Sequence, residues 1–385
     1  MAQYFLTEEQ EMVRDLARQI AQEKVIPVRA ELDEQEKFPW EIMKILAEAD
    51  LFRVWIPEEY GGLGGGILGL CLAMEELSRA CAGVAVSYAG SALGGTPILL
   101  YGSEDQKQKY LPQLASGERL GAFALTEANA GSDAAGMQVT ARKVDGGYLI
   151  NGTKQWITNG GEAEINTVIA MTDRSRGARG ATAFIVEKGA EGFSFGKKEK
   201  KMGIRASSTR ELVFQDCFVP EDQRLGREGM GFIVGMKTFD QSRPGIGAQA
   251  VGIAQGAFDE AMRFARERHQ FGKPISSFQA VQHMLANMAT EIEASRVLVY
   301  HAARLVDAGD RSATKIAAMA KVFPSDMAMR VTTDAVQIMG GSGYMREYPV
   351  EKMMRDAKIT QIYEGTNQIM RNVIAANLIK ESAAS

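Results

Sequence analysis

The chain has few of the residues that build metal and disulfide sites. It contains three cysteines (Cys71, Cys81, Cys217) and three histidines (His269, His283, His301) in 385 residues. An odd set of cysteines without C-x-x-C spacing argues against a disulfide framework or zinc ribbon and fits reduced thiols of an intracellular protein. The histidines form no H-E-x-x-H or similar spacing, so no metal centre is expected. Excess basic charge is also missing. A net charge of -4 leaves no footprint for nucleic acid. Residues 1–9 lack the basic and apolar regions of a secretory signal, and a cytoplasmic location is expected.

Long apolar runs are scarce as well. One uncharged stretch, residues 80–103, is about long enough to cross a bilayer. It is rich in Ala, Gly and Ser and contains Gly94, Gly95 and Pro97. Small residues dilute the transfer energy that insertion needs, so a close-packed buried helix is expected there and no membrane insertion. Gly and Ala let a neighbour, or a ligand tail, approach the backbone, and Ser87 and Gly90 are candidates to line a tail pocket.

The chain is too long for one compact core, and its 45% hydrophobic and 24% charged residues are ordinary for a globular protein. Its hydrophobic period divides it into three. Residues 1–117 read as helical: Thr7-Glu8-Glu9-Gln10 and Ser103-Glu104-Asp105-Gln106 are capping boxes, and Pro39 opens a third helix. Residues 118–226 show a period of two. A hairpin is expected across Asp145-Gly146-Gly147, and the spacing of the short strands predicts an antiparallel barrel or sandwich. Residues 227–385 return to long apolar stripes, with Ser276-Ser277-Phe278-Gln279 capping one helix, and a four-helix bundle buries such stripes. The fold class is α+β multidomain, in the order α, β, α.

Two segments carry candidate chemistry. Ile362-Tyr363-Glu364-Gly365-Thr366-Asn367-Gln368 places a carboxylate just before a glycine-hinged helix start. Such a residue can be an acid favoured by the helix dipole, or a base facing an acidified C–H bond. Leu125-Thr126-Glu127-Ala128-Asn129-Ala130-Gly131-Ser132-Asp133, with Trp156-Ile157-Thr158 further on, supplies hydroxyls and an aromatic at strand ends. Trp156 can equally be a sheet-core residue. Gly64-Gly65-Gly66-Ile67-Leu68-Gly69 satisfies G-x-G-x-x-G, but no strand precedes it and no βαβ unit surrounds it, so a dinucleotide site is not expected. Lys197-Lys198-Glu199-Lys200-Lys201 reads as a solvated loop.

Together the Y-E-G-T-N-Q and T-E-x-x-A-G-S-D segments, in this order over nearly the whole chain, resemble the acyl-CoA dehydrogenases, and within them the short- to medium-chain, butyryl-CoA dehydrogenase-like members. The resemblance implies an FAD-dependent oxidoreductase of fatty acid metabolism that converts an acyl-CoA to its trans-2-enoyl-CoA. Glu364 would take the alpha proton, flavin N5 would receive the beta hydride, and an electron-transfer flavoprotein would take the electrons. It implies flavin contacts from Thr126, Gly131, Ser132, Trp156, Thr158, Thr366 and Gln368. Arg268, Phe271, Gln337 and Gly341 would reach the FAD of a neighbouring subunit in a homotetramer built as a dimer of dimers. Substrate contacts would come from Ser132, Asp240, Arg243, Tyr363 and Gly365. Some members take their base from the position just before Arg243; here that residue is Ser242, so Glu364 has no rival. Ala128 stands where the family usually has Pro. Alternatives are an oxygen-using oxidase or monooxygenase on the same fold, and a non-catalytic helical scaffold. The acyl group stays open among straight, branched, cyclic and dicarboxylic thioesters.

Overall fold

Both capping boxes read from the sequence are formed, and they start two of the helices that open the chain. A computed structural model describes residues 4–384. Helices α1 (Glu8–Ile20), α2 (Arg29–Glu34), α3 (Trp40–Glu48), α4 (Gly66–Ala80), α5 (Ala82–Tyr101) and α6 (Glu104–Ala115) come first. Thr7 caps α1 and Ser103 caps α6, each with a reciprocal glutamine. Helix α5 is apolar and long enough to cross a membrane, and 78% of its apolar window is buried inside the protein. Its glycines permit that burial. A Cβ on Gly94 would lie 2.4 Å from the Ala122 backbone nitrogen, so the helix can rest on the sheet only through bare backbone.

The middle region holds β1 (Gly121–Ala124), β2 (Thr140–Val144), β3 (Gly147–Thr158), β4 (Ile165–Met171), β5 (Ala181–Glu187), β6 (Phe193–Lys198), β7 (Thr209–Pro220) and β8 (Arg224–Leu225). They form one sheet in the order β6-β7-β3-β2-β4-β5-β8, with β1 alongside β4. The expected hairpin is β2–β3, turning at Gly146 with φ 73°. Most pairings are antiparallel, but β1–β4 and β2–β4 run parallel, which amends the all-antiparallel expectation. These strands are joined by long excursions, and only a tight turn forces neighbouring strands to run in opposite directions.

The C-terminal region begins with α7 (Gly231–Glu267), continues through a small hairpin, β9 (His269–Gln270) and β10 (Lys273–Pro274), and then runs α8 (Gln279–Asp307), α9 (Ala313–Met339), α10 (Val350–Ala357) and α11 (Asn367–Ala384). Helices α7, α8 and α9 pack on one another and α11 packs on α9, the bundle expected from their stripes. The start of α8 differs from expectation. Phe278 is its N-cap residue, without a side-chain bond, while Ser277 Oγ donates to the Pro274 carbonyl. That hydroxyl serves the preceding turn, a common competitor of capping.

Helix α4 also packs on α7, and its N-terminus is closed from afar. Asp307, the last residue of α8, accepts from the amides of Ile67 (2.7 Å) and Leu68 (3.0 Å). The glycine-rich run therefore offers its helix amides to a carboxylate of the same chain, as the dipole favours. Asp307→Ala should lower stability by about 1–2 kcal/mol, as loss of a helix cap does. Thermal melts of the variant and the parent check this.

Candidate active site

The loop between α10 and α11 holds its most reactive side chain in an unfavourable backbone conformation. Glu364 has φ 52° and Gly365 has φ 97°. Glycine tolerates this region, whereas an L-residue such as Glu stays there only when its surroundings over-determine it. Those surroundings come mainly from α9. Lys321 Nζ donates to the Gly365 carbonyl and to Asn367 Oδ1, both at 2.8 Å. Asp326 accepts from Gln361 (2.6 Å), Asn367 (2.8 Å) and Arg371 (2.6 Å), so it grips both ends of the loop. Thr366 Oγ1 accepts from the Ile369 amide at 3.2 Å and caps α11. Gln368 is exposed.

Three polar groups face the Glu364 carboxylate. Ser242 Oγ, on α7, donates to Oε2 at 2.5 Å. The cations of Arg243 and Lys321 lie close enough to favour its charge. Desolvation outweighs all three and pushes the carboxyl up to about 7. Helix α11 begins only at Asn367, and the surrounding protein leaves Glu364 half-buried.

Arg243 is 6% exposed, not the solvated helix residue that a simple ion pair would suggest. Its guanidinium meets Asp240 at 3.1 Å, and Asp240 also accepts from Thr314 (2.7 Å) and Lys237 (3.2 Å). Arg243 Nε is buried and has no partner among the described residues. Tyr363 donates to Gln249, which bonds the Ala82 carbonyl at 3.3 Å and so joins the loop to α7 and α5. Between Ser242 and Gln249, Gly245 is buried, yet an added Cβ there would meet no atom within 4 Å. This stripe of α7 borders free space beside Tyr363 and Glu364.

Thr126, Trp156 and Thr158 gather at the edge of the sheet, where the Gln155 amide donates to the Thr126 carbonyl at 2.8 Å. Trp156 is 55% exposed with φ 59°, so it is no core aromatic; its ring is presented outward from the strand. Thr126 and Thr158 are half-buried, and Gly131 and Ser132 lie exposed on the adjoining loop. A buried pair anchors that loop. Glu127 accepts from the Gln138 (2.5 Å) and Val139 (3.0 Å) amides and from Lys154 Nζ (2.7 Å). Burial pulls the Lys154 ammonium down to about 8 against the opposing pull of Glu127.

Four candidates stand elsewhere. Arg268 follows the end of α7, and Phe271, 93% exposed with φ 53°, forms the tip of the β9–β10 hairpin. Gln337 and Gly341 are exposed at the end of α9. Arg268 lies 26 residues beyond Ser242, roughly 39 Å along the helix at 1.5 Å per residue. Within one chain it is not brought to Glu364. Ser87 and Gly90 are both buried on α5. The Ser87 carbonyl accepts from Asn159 (2.9 Å), and a Cβ on Gly90 would lie 2.7 Å from the same amide, so both positions pack α5 onto the end of β3. In the lysine run, Lys198 donates to the Glu36 carbonyl and Lys201 to that of Ser207, so the loop is tied down instead of fully solvated.

Three profiles cover the chain in the order of this architecture. They are the N-terminal (residues 7–118), middle (122–217) and C-terminal (229–379) domains of acyl-CoA dehydrogenase. The chain belongs to the acyl-CoA dehydrogenase family. Its members are oxidoreductases acting on the CH–CH bond of acyl-CoA. It is 50% identical over 377 residues to the short-chain specific acyl-CoA dehydrogenase of Clostridium acetobutylicum, covering 97% of this chain and 99% of that one. Among solved structures it resembles butyryl-CoA dehydrogenase from Megasphaera elsdenii, with TM-score 0.95 and 48% identity over 97% of this chain and 99% of the other. A chain solved in work on the electron transferring flavoprotein of Acidaminococcus fermentans matches with TM-score 0.95 and 50% identity, covering 97% and 98%.

Sequence reasoning missed Lys321, Asp326, Glu127 and Lys154. One signal was present for Lys321. It falls on the helical stripe of Ala317, Pro324 and Ala328, which is buried, so a charge there had to have partners. Lys154→Met leaves Glu127 buried and half-satisfied, and should lower stability by about 3–5 kcal/mol. Denaturation measures that loss, and hydrogen exchange at the Gln138 and Val139 amides should quicken.

Proposed function

We propose that this protein dehydrogenates a straight short- to medium-chain acyl-CoA thioester to the trans-2-enoyl-CoA, with Glu364 as the base and FAD as the resident cofactor. One observation carries the reading. In this family member the half-buried Y-E-G-T carboxylate is held in a left-handed turn and bonded to Ser242, three residues before Gly245, where an added Cβ would meet no atom within 4 Å. A carboxyl near neutrality is a competent base at the pH of the cytoplasm, which is the location proposed. Domain boundaries at 117 and 226 belong to the same reading.

The sheet edge fits a flavin on its own chemistry. An outward aromatic, two half-buried hydroxyls and an open glycine loop suit a flat ring with a hydrogen-bonding rim and a pyrophosphate tail. Thr126, Gly131, Ser132, Trp156, Thr158, Thr366 and Gln368 would hold it. Bound FAD supplies, at N5, the acceptor for the hydride that leaves the β carbon. The chain's own residues do the rest. Glu364 takes the α proton, and hydrogen bonds to the thioester oxygen, one from the Glu364 amide, stabilise the developing enolate. Ser242 orients the carboxylate at 2.5 Å before the proton moves. Ser132, Asp240, Arg243, Tyr363 and Gly365 are assigned to substrate, and the unpartnered Arg243 Nε offers it a buried donor.

Arg268, Phe271, Gln337 and Gly341 act on a neighbour's cofactor in this reading. Their distance from Glu364 supports a homo-oligomer, proposed as two dimers paired into a tetramer. The electron acceptor is proposed to be an electron-transfer flavoprotein. The tail of the substrate is assigned to the space at Gly245.

Glu364→Gln should keep flavin and acyl-CoA bound while lowering flavin bleaching by substrate about 10²–10⁴-fold or more. Stopped-flow reduction under anaerobic conditions reads this, and bleaching at the parent rate rejects the assignment. In the parent, kcat/KM should fall about tenfold per pH unit below about 7 and level off above it, because only the ionised carboxylate accepts a proton. Gly245→Val should cut kcat/KM for octanoyl-CoA about 10-fold or more relative to butyryl-CoA, since it fills the proposed tail space. Equal losses for both esters would place the tail elsewhere.

A further inference from the structure

The reaction as described gives no task to the buried cation behind the α10–α11 loop. Lys321 is 0% exposed in the middle of α9. A buried ammonium persists only where it is bonded, and both of its hydrogen bonds go to neutral oxygens of the segment just after Glu364. We infer that Lys321 is a positioning residue for the reaction, whose ammonium fixes the Glu364–Gly365 turn and biases the Glu364 carboxylate toward its ionised form. This rests on the reading of Glu364 as base.

The turn supplies the first argument. Gly365 follows a residue in the left-handed region, so its carbonyl points in a direction that ordinary backbone would not give it. Lys321 takes that carbonyl and Asn367 Oδ1 together, each at 2.8 Å, bridging the loop to the first residue of α11. Loosening the bridge lets residue 364 relax and swings its carboxylate away from Ser242.

Charge supplies the second. Arg243 from α7 and Lys321 from α9 are the cations facing Glu364, with the neutral hydroxyl of Ser242 beside them. Arg243 shares its charge with Asp240 at 3.1 Å. The charged groups facing Lys321 are Glu364, Arg243, Asp326 and Arg371. Asp326 is already engaged by Gln361, Asn367 and Arg371. Burial pulls the Lys321 ammonium down to about 7, with Glu364 as the foremost group opposing it. The two groups titrate as a pair, so removing the cation removes support for the carboxylate and raises the pH at which it ionises.

The test compares pH profiles of kcat/KM for butyryl-CoA in the parent holoenzyme and in Lys321→Met, Lys321→Gln and Asp326→Asn. Gln keeps a hydrogen-bond donor and loses the charge. Both Lys321 variants should move the acid limb upward by about one pH unit or more. Asp326→Asn weakens the grip on the loop but leaves the cation, and it should lower kcat without an upward move. An unmoved limb in both Lys321 variants overturns the inference, as does an equal upward move in Asp326→Asn, which would mark general loosening. Melting curves and flavin absorbance establish that each variant is folded; failure of both Lys321 variants to fold makes Lys321 purely structural and also overturns it. Glu364→Gln run in parallel separates the two claims, because flavin bleaching at the parent rate in that variant rejects the base itself, whatever the Lys321 variants show.

Discussion

The burial of charge behind the α10–α11 loop is the constraint on which the other features of the site depend. A half-buried carboxylate, a buried guanidinium and a buried ammonium lie within one small region, and each is kept there by bonds to the others' surroundings. Ionised groups in such a place are costly unless paired or bonded. That cost explains why α9 carries Lys321 and Asp326 on one side, and why α7 brings Ser242 and Arg243 from the other. If the loop moved, several polar groups would lose partners at once, so the arrangement is held as a unit.

The same logic acts at the sheet edge on a smaller scale. Glu127 and Lys154 are buried together, and the carboxylate also takes two amides from the far side of the loop that contains Ser132. A stretch with exposed glycine and serine at its tip is therefore rigid at its base. The two parts meet through α5, which rests on β1 and β3 and touches α7. Its small residues serve that contact, and its uncharged character follows from being enclosed on most sides.

Local features were legible in the chain wherever one short segment sufficed. The boxes at Thr7 and Ser103, the turn at Gly146 and the long stripes of α7, α8 and α9 all depend on spacings of a few residues. Glu364 was legible as a candidate because its neighbours form a motif. Lys321 and Glu127 were not, since their partners lie 44 and 27 residues away along the chain. Strand direction at β1 and β2 was hidden too, because alternation of side chains is the same for either direction. Ser87 and Gly90 illustrate a related gap: a small residue signals close approach without saying what approaches, and Asn159 is one such neighbour. Trp156 showed the reverse, as neither its size nor its strand told that the ring faces outward.

The backbone at residue 364 separates two requirements that usually coincide. Among L-amino acids the left-handed region suits Asn and Asp best, and their short side chains help by bonding locally. An aspartate would thus sit more comfortably in this turn, but its carboxyl would fall one methylene short of the hydroxyl on α7. Conformational ease and chemical reach select different amino acids at this position, and the longer one occupies it.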